Sequence, residues 1–246
     1  MSAYLAQVLS EDTLPPAKAF IVPHAGYMYS GSTAASAYAL AAKRRVRVRR
    51  VVLIGPSHRV YFEGVALPEA AAFATPLGTI AIDAELKAML RGREGVIESD
   101  HAHRQEHSLE VQLPFLQVLL GDFTLLPLVA GVASADLVAS ILNEIWGGDE
   151  TLVLASSDLS HYHPYSIAQQ IDASTSAAIL RRDSTLTGEQ ACGAVAINGL
   201  LTAAHFRQLT VAELARCNSG DTAGDRTRVV GYGAYALYAP EQHRPS

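Results

Sequence analysis

Three histidine-bearing segments each follow an apolar run of the sequence. His24 follows the run AFIVP, His58 follows VVLIG within GPSH, and His161 follows TLVLAS within SSDLSHYH. Because the carboxyl ends of parallel strands meet at one edge of a sheet, three imidazoles placed there would converge. Converging imidazoles suit a transition-metal site or acid–base catalysis. A single histidine in such a loop is more often a hydrogen-bonded bystander, so the prediction depends on the set.

Three further residues could take part in metal binding or acid–base catalysis at the same edge. Asp158 lies three positions before His161. Cys192 lies where a helix is predicted to begin, and a helix N-terminus lowers the pKa of a thiol toward the thiolate that binds metal or attacks. A small apolar role in the core fits Cys192 equally well. The stretch DHAHRQEHSLE is expected to be largely a solvated loop, in which His107 is the candidate because it and Glu106 adjoin a predicted helix.

Several catalytic signatures are absent from the sequence. It contains no G-x-x-x-x-G-K-[ST], no G-x-G-x-x-G after a strand, no H-E-x-x-H, no C-x-x-C and no G-x-S-x-G. Nucleotide binding, zincin and thioredoxin chemistry, and the usual serine hydrolase elbow are therefore not supported. The net charge of −5 gives no indication of a nucleic-acid partner.

The elements that must position these residues alternate between strands and helices. Runs of large aliphatic residues predict buried strands over residues 19–23, 51–55, 123–129 and 151–156. Helical spacing predicts helices over 32–43, 107–120, 134–146, 165–182 and 192–206, with N-caps at Ser134 and Ser166 and a kink or boundary at Pro114. We therefore expect one α/β domain, residues 1–246, with a central mixed, largely parallel sheet flanked by helices.

The tail adds two predicted strands, residues 211–217 and 228–239, which we expect to pair across NSGDTAGD. That glycine-rich segment is more typical of a plain loop than of an anion-binding turn. The single basic run, KRRVRVRR at residues 43–50, predicts cations at the end of a helix followed by a strand. A phosphate or nucleic-acid patch is the alternative.

The composition is that of a compact globular chain. Hydrophobic residues make up 49% of its 246 residues and charged residues 17%. No apolar run approaches the roughly 20 residues of a membrane span, which argues against a membrane partner. The start carries Glu11 and Asp12 in place of a basic region, which argues against a signal peptide. Cys192 and Cys217 do not form a disulfide framework, so we expect a cytoplasmic protein.

Six motifs occur in a characteristic order: PHAGYMYSG, GPSH, TPLG, EHSLEVQLPFLQ, SSDLSH and the CG of residues 192–193. With them the sequence resembles the Memo family, whose bacterial and archaeal members are often called AmmeMemoRadiSam system protein B. The resemblance spans about residues 18 to 239. Family members often carry a further G-W/F-Y segment upstream of PHAGY, which this sequence does not show. One wall of the site is therefore expected to differ.

The resemblance implies a fold and a metal site. The Memo fold is similar to that of class III extradiol dioxygenases, non-haem iron enzymes that open catechol rings. His24 and His58 are implied as two histidine metal ligands, and Cys192 falls on the third ligand position, where the extradiol enzymes have glutamate. His161 matches the position of their catalytic histidine, and Asp158 accompanies it. Either tyrosine of the first motif, Tyr27 or Tyr29, lines the pocket or packs ordinarily.

A cysteine at the third position changes the expected chemistry. Two histidines and a carboxylate suit Fe(II), whereas a thiolate favours copper, zinc or thiolate-bound iron and can itself be oxidised. We therefore expect a metal-dependent redox enzyme, an oxidase or dioxygenase-like enzyme using iron or copper, with zinc as a further option, acting on a small molecule or peptide. One alternative is a non-catalytic peptide- or partner-binding accessory protein linked to a radical-SAM system. Another is metal-free thiol chemistry with Cys192 as nucleophile.

Overall fold

The structure, a computed structural model, describes residues 14–239. Within that range the strands are β1 (Ala19–Val22), β2 (Arg50–Pro56), β3 (Val65–Leu67), β4 (Ala72–Thr75), β5 (Gly78–Ala81), β6 (Val96–Glu98), β7 (Thr124–Ala130), β8 (Thr151–Ser156), β9 (His161–His163), β10 (Thr210–Asn218) and β11 (Val229–Tyr238). The helices are α1 (Tyr27–Ala41), α2 (Ala84–Leu90), α3 (Asp100–His103), α4 (His107–Glu110), α5 (Leu113–Leu120), α6 (Ala135–Glu144), α7 (Tyr165–Leu180) and α8 (Ala194–Phe206).

The main sheet has the strand order β10-β11-β1-β8-β2-β7-β3-β6, with β9 paired to β11. Its centre, β1, β8, β2 and β7, is parallel and almost wholly buried, which explains the unbroken aliphatic runs of these strands. The four strands predicted from those runs are confirmed. The register pairs Val22 with Ser156 and Pro56 with Ala130, so the strands end level with one another at one edge.

Helices cover both faces of the sheet and form two cores. On one face, α6 and α8 pack together over β2, β7 and β8, and Ile54, Leu128, Val138 and Leu200 belong to this cluster. On the other face, α1 and α5 meet where the rings of Tyr38 and Phe115 stack with centroids 4.7 Å apart. The predicted mixed, largely parallel α/β architecture is confirmed.

Several local predictions are confirmed and others are wrong. The Ser134 side chain caps α6 by accepting from the Leu137 amide, as predicted. Ser166 is not an N-cap, because α7 already begins at Tyr165. The predicted helix over 107–120 is two helices, with Pro114 in the first turn of α5, where a missing N–H costs nothing.

Strands β10 and β11 pair antiparallel, as predicted from the tail. The stretch expected to be a solvated loop contains the short helix α3, and its His103 is buried beside the Ala66 carbonyl. No helix within residues 14–239 is long and apolar enough to cross a membrane. Glu11 and Asp12, used against a signal peptide, lie outside the described residues.

Candidate metal centre

The carboxyl ends of the central parallel strands carry the predicted site residues. His24 follows β1, His58 follows β2, and Asp158 follows β8. His107 reaches the same place from the start of α4, which packs against β2. The close approach of α4 requires Gly55, because a Cβ there would lie 2.8 Å from Leu109 Cδ2 and 2.9 Å from Ser108 Oγ.

Three imidazoles converge at this edge. One nitrogen from each of His24, His58 and His107 lies within 4.8 Å of the others, and the ring centroids are 5.2 to 5.5 Å apart. His24 is 2% exposed, whereas the other two open toward solvent. A group of three histidine nitrogens at this spacing could hold a metal ion.

Hydrogen bonding fixes the tautomer of His24. Its Nδ1 lies 2.9 Å from the Ser156 hydroxyl oxygen. The single hydroxyl proton of Ser156 is donated to the Ser108 carbonyl at 2.6 Å, so the hydroxyl oxygen can only accept from the imidazole. His24 therefore carries its proton on Nδ1, which leaves a lone pair on Nε2. This is the form in which a neutral histidine binds a metal.

The Gln112 side chain supports this arrangement from α5. Its Nε2 donates to the Pro23 carbonyl at 2.8 Å and to the Ser156 hydroxyl at 2.9 Å, while its Oε1 accepts from Tyr38 at 2.7 Å. Because the Pro23 carbonyl can only accept, the amide cannot be flipped. All these groups are buried, so the orientation of His24 is held by a fully satisfied polar network.

Glu106 performs the corresponding task for the other two histidines. The His58 Nδ1 lies 2.9 Å from Glu106 Oε1, and the His107 Nδ1 lies 3.5 Å from the same oxygen. The His58 and Ser108 backbone amides also donate to this carboxylate. Although burial raises the pKa of Glu106, its hydrogen bonds to His58 and Ser108 outweigh that effect and lower the pKa to about 2. A buried carboxylate that orients the imidazoles is typical of metal centres.

The charge of His24 also suits a ligand. Burial lowers the pKa of His24 well below its usual value, and the nearby His58 and His107 lower it further. The imidazole is therefore neutral at pH 7. A neutral imidazole is the form required for binding a cation.

Cys192 lies beside this group without being one of the three. Its Sγ is 3.3 Å from His24 Nε2 and accepts from the Asp158 amide at 3.3 Å. The next residue, Gly193, lets the segment pack on β8, because a Cβ there would lie 2.6 Å from the Ser156 carbonyl oxygen. The expectation that a helix N-terminus lowers the pKa of this thiol is wrong. Burial, reinforced by Asp158, raises the pKa of Cys192 to about 12, and α8 begins only at Ala194.

Asp158 and His161 occupy different positions in the site. Asp158 is 4% exposed, and its Oδ1 accepts from the His24 and Ala25 amides at 2.8 and 3.3 Å. Burial raises the pKa of this carboxyl. Asp158 therefore anchors the segment that carries His24. His161 lies in the short strand β9 and lines the same cavity as the three histidines.

The imidazoles line an open cavity of about 920 Å³. Tyr29 lines it, whereas the Tyr27 hydroxyl donates to the Val111 carbonyl and the Tyr27 ring packs against Phe115. Of the two candidate tyrosines, the structure therefore places only Tyr29 at the site. Tyr162, Arg59 and Arg228 also line the cavity.

The sequence patterns do not reveal the residues that support the histidines. They place Ser156 in a strand and Ser108 and Gln112 in a helix, and they give Glu106 no role beyond its effect on a helix dipole. A signal for two of them exists in the sequence. Glu106 and Gln112 are polar residues within an otherwise amphipathic segment, and both are buried in the fold. Such residues require partners.

Comparison with known proteins agrees with the fold and the motifs. A family model described as "Memo-like protein" matches residues 1–236. The chain belongs to the Memo family. It is 38% identical over 243 residues to a MEMO1 family protein of Methanococcoides burtonii, an alignment covering 93% of this chain and 88% of the relative. It is 37% identical over 231 residues to a MEMO1 family protein of Methanosarcina barkeri, covering 87% and 84%.

A solved structure shares the fold of this Memo family chain. The crystal structure of the uncharacterized protein JW3007 from Escherichia coli K12 superposes with a TM-score of 0.55. The match covers 89% of this chain and 98% of the other, at 13% sequence identity. At that identity the likeness extends to the fold alone.

Proposed function

We propose that this Memo family chain is a metal-dependent redox enzyme that uses iron or copper at the carboxyl edge of its sheet. The observation that supports this most strongly is the convergence of three imidazoles, with the proton of His24 held on Nδ1 by Ser156 and the Nε2 lone pair directed at the Cys192 sulfur, where a metal would bind both. We assign His24 and His58 as ligands. The donors are imidazole nitrogens whose rings are held by hydrogen bonds to Ser156 and Glu106, which fits a transition metal.

For the third ligand we propose Cys192. Its Sγ lies next to His24 Nε2 and receives an amide hydrogen bond that would stabilise a thiolate. A bound cation deprotonates a coordinating thiol that is protonated when free. His107 would then stand at the mouth of the site as a proton-transfer residue, because its side chain is 52% exposed and contacts Glu106.

The remaining site residues have roles that follow from their positions. His161 lines the cavity, and histidine is the side chain that exchanges protons near neutral pH, so we assign it as the acid–base residue. Asp158 holds the His24 backbone and the Cys192 sulfur in place. When bound, the metal supplies an open position for one-electron or Lewis-acid chemistry.

The ligand assignment can be tested by spectroscopy. In the Co²⁺-loaded protein we expect a thiolate-to-metal charge-transfer band, and we expect Cys192→Ser to abolish it while His107→Gln leaves it in place. The converse result, a band-free spectrum and metal binding that depends on His107, would assign the third ligand to His107.

The size of the cavity favours a second candidate function. About 920 Å³ with a wide mouth can admit a peptide segment as well as a small molecule. On this proposal the chain is a binding or accessory protein on an enzyme-like scaffold, with a radical-SAM system protein as the partner that the bacterial family name suggests.

Oxygen consumption distinguishes the two functions. The protein would be loaded separately with Fe²⁺ and Cu²⁺, and O₂ uptake followed with a panel of phenolic and thiol substrates. Turnover that is lost in His161→Ala and retained in His163→Ala supports the enzyme. His163 is the matched control because it lies in the same strand but does not line the cavity. Bound metal without turnover on any substrate supports the binding protein.

A further inference from the structure

Two arginines share the cavity with the histidines. Arg59 directly follows His58, and Arg228 directly precedes β11. Neither guanidinium forms an ion pair or hydrogen bond with any residue between 14 and 239. Other arginines in that range, such as Arg91 and Arg93, pair with Glu98 and Glu144. An unpaired guanidinium that lines a cavity is available to a ligand.

Arg228 is held in place by an aromatic ring. Its guanidinium carbon lies 5.1 Å from the centroid of the Tyr162 ring, a stacking contact that leaves the planar fork of N–H donors free. Tyr162 has a φ of 62°, in the left-handed region that non-glycine residues rarely occupy, and its side chain lines the cavity. Strained residues of this kind cluster at ligand sites.

The cavity also offers hydroxyl groups that are not used within the described part of the protein. The Tyr29 and Tyr162 hydroxyls have no hydrogen-bond partner among residues 14–239. Two carboxylates face the cavity, the exposed Glu189 and the buried Asp158, which is already bonded to backbone amides. Ser219 and Gly224, from the glycine-rich segment NSGDTAGD, also line the cavity.

We propose that this cavity recognises a small organic carboxylate, held by Arg59 and Arg228 so that the rest of the molecule faces the histidines. The planar fork of a guanidinium matches the geometry of a carboxylate, and the tyrosine rings provide an apolar surface for the body of the ligand. The inference names the ligand class of the site proposed above and therefore rests on that function.

The test compares benzoate with benzamide, which has the same shape without the charge. Binding to the metal-free protein would be followed at low ionic strength by chemical-shift changes in NMR spectra. We expect benzoate to bind at least tenfold more tightly than benzamide. We expect Arg59→Gln and Arg228→Gln each to weaken benzoate binding at least fivefold and the double variant to remove the preference.

Arg226 provides a matched control. It also stacks on a tyrosine, with its guanidinium carbon 4.4 Å from the Tyr165 ring centroid, but it does not line the cavity. Arg226→Gln should leave benzoate binding unchanged. Equal affinities for benzoate and benzamide, equal losses in the Arg226 and Arg228 variants, or inorganic phosphate binding as tightly as benzoate would each overturn the proposal.

Metal binding measured on the same preparations separates this inference from the proposed function. A wild-type protein that binds iron or copper but shows no preference for benzoate contradicts the carboxylate site alone. A protein that prefers benzoate through both arginines but binds no metal supports the carboxylate site and contradicts the metal-dependent enzyme.

Discussion

Each of the two edges of the central sheet carries basic side chains and a cavity, but the basic side chains have partners within the protein at one edge and face the cavity at the other. At the amino edge, where β1, β2 and β8 begin, Lys18 donates to the Gly148 and Thr151 carbonyls at 2.5 and 2.6 Å. Arg44 donates to the Ala17 carbonyl at 3.1 Å and the Asp149 carbonyl at 2.9 Å. The cavity there, about 570 Å³, is lined by cations whose donors end on the protein itself.

At the carboxyl edge, where the same strands end, each histidine is held by one ring nitrogen and turns the other toward the cavity. The Nδ1 atoms of His24 and His58 have hydrogen-bond partners in the protein, while His24 Nε2 faces the cavity beside the Cys192 thiol. The guanidinium groups of Arg59 and Arg228 form no ion pair or hydrogen bond with residues 14–239. The contrast indicates what distinguishes a binding site from a purely structural contact. A binding site keeps donors or acceptors that have no partner in the folded protein, whereas charge or burial alone does not mark it.

The largest loss of stability should come from a substitution at the amino edge. Arg44→Ala removes a nearly buried guanidinium that joins α1 to the loop before β8, and leaves the Ala17 carbonyl without its donor. We expect the free energy of unfolding to fall by about 3 kcal/mol, measured by urea denaturation. Metal affinity should be unchanged. A loss of metal binding in the still folded variant would contradict the separation of the two edges.

At the carboxyl edge, Ser156→Ala should act mainly on the metal. The substitution removes the acceptor that holds the His24 proton on Nδ1. We expect metal affinity to fall about 10- to 100-fold, equivalent to about 1.4–2.7 kcal/mol. Nitrogen-15 NMR of the metal-free variant should show His24 in mixed tautomers, which a merely structural defect would not produce.

Thr175→Val is the control for that variant. It also removes a buried hydroxyl, but the Thr175 hydroxyl donates to Ile171 within its own helix, away from the site. Thr175→Val should keep both the wild-type metal affinity and the single tautomer of His24. If the two variants lose metal affinity equally, the loss reflects general destabilisation.

Acid should lower the stability of the metal-free protein, because His24 at the carboxyl edge is buried in its neutral form. The pKa of His24 in the folded state lies well below its usual value, so below about pH 6.5 the unfolded chain binds a proton that the folded chain does not. The free energy of unfolding should fall by up to about 1.4 kcal/mol per pH unit. His24→Asn should remove this part of the pH dependence, and an unchanged slope would show that His24 does not contribute to it.

The smallest effect on the free energy of unfolding is expected for Arg47→Ala, which tests an exposed cation at the amino edge. The side chains of Arg47 and its partner Asp149 are 71% and 70% exposed. An exposed ion pair contributes little, so we expect a change of less than about 0.5 kcal/mol in the free energy of unfolding. A loss as large as that of Arg44→Ala would mean that charge at this edge matters more than burial.

The sequence was sufficient to predict where the site lies. The aliphatic runs of β1, β2 and β8 mark strands buried on both faces, and such strands must end together at one edge. His24, His58 and Asp158 follow those ends directly, so their convergence is a consequence of topology. The basic run lies between a helix and a strand, as predicted, but its first cations, Lys43 and Arg44, belong to a short 3-10 turn after α1, whose own last turn holds no basic residue.

The contacts between the site and its surroundings could not be predicted. Glu106 reaches His58, and Gln112 reaches Ser156, only because α4 and α5 dock against the ends of β2 and β8. That docking depends on the close approach at Gly55, which local patterns do not reveal. Three-residue strands such as β3, β6 and β9 were missed for a similar reason, since so few residues show no periodicity.

Metal titration of the wild-type protein against His24→Ala/His58→Ala is the most direct test of the central claim. The matched control is His101→Ala/His163→Ala, because neither residue lines the cavity. We expect the wild type and the control to retain a single iron or copper ion per chain through gel filtration, and the site variant to retain none. A folded site variant that keeps as much metal as the wild type would contradict the claim that this edge of the sheet is a metal centre.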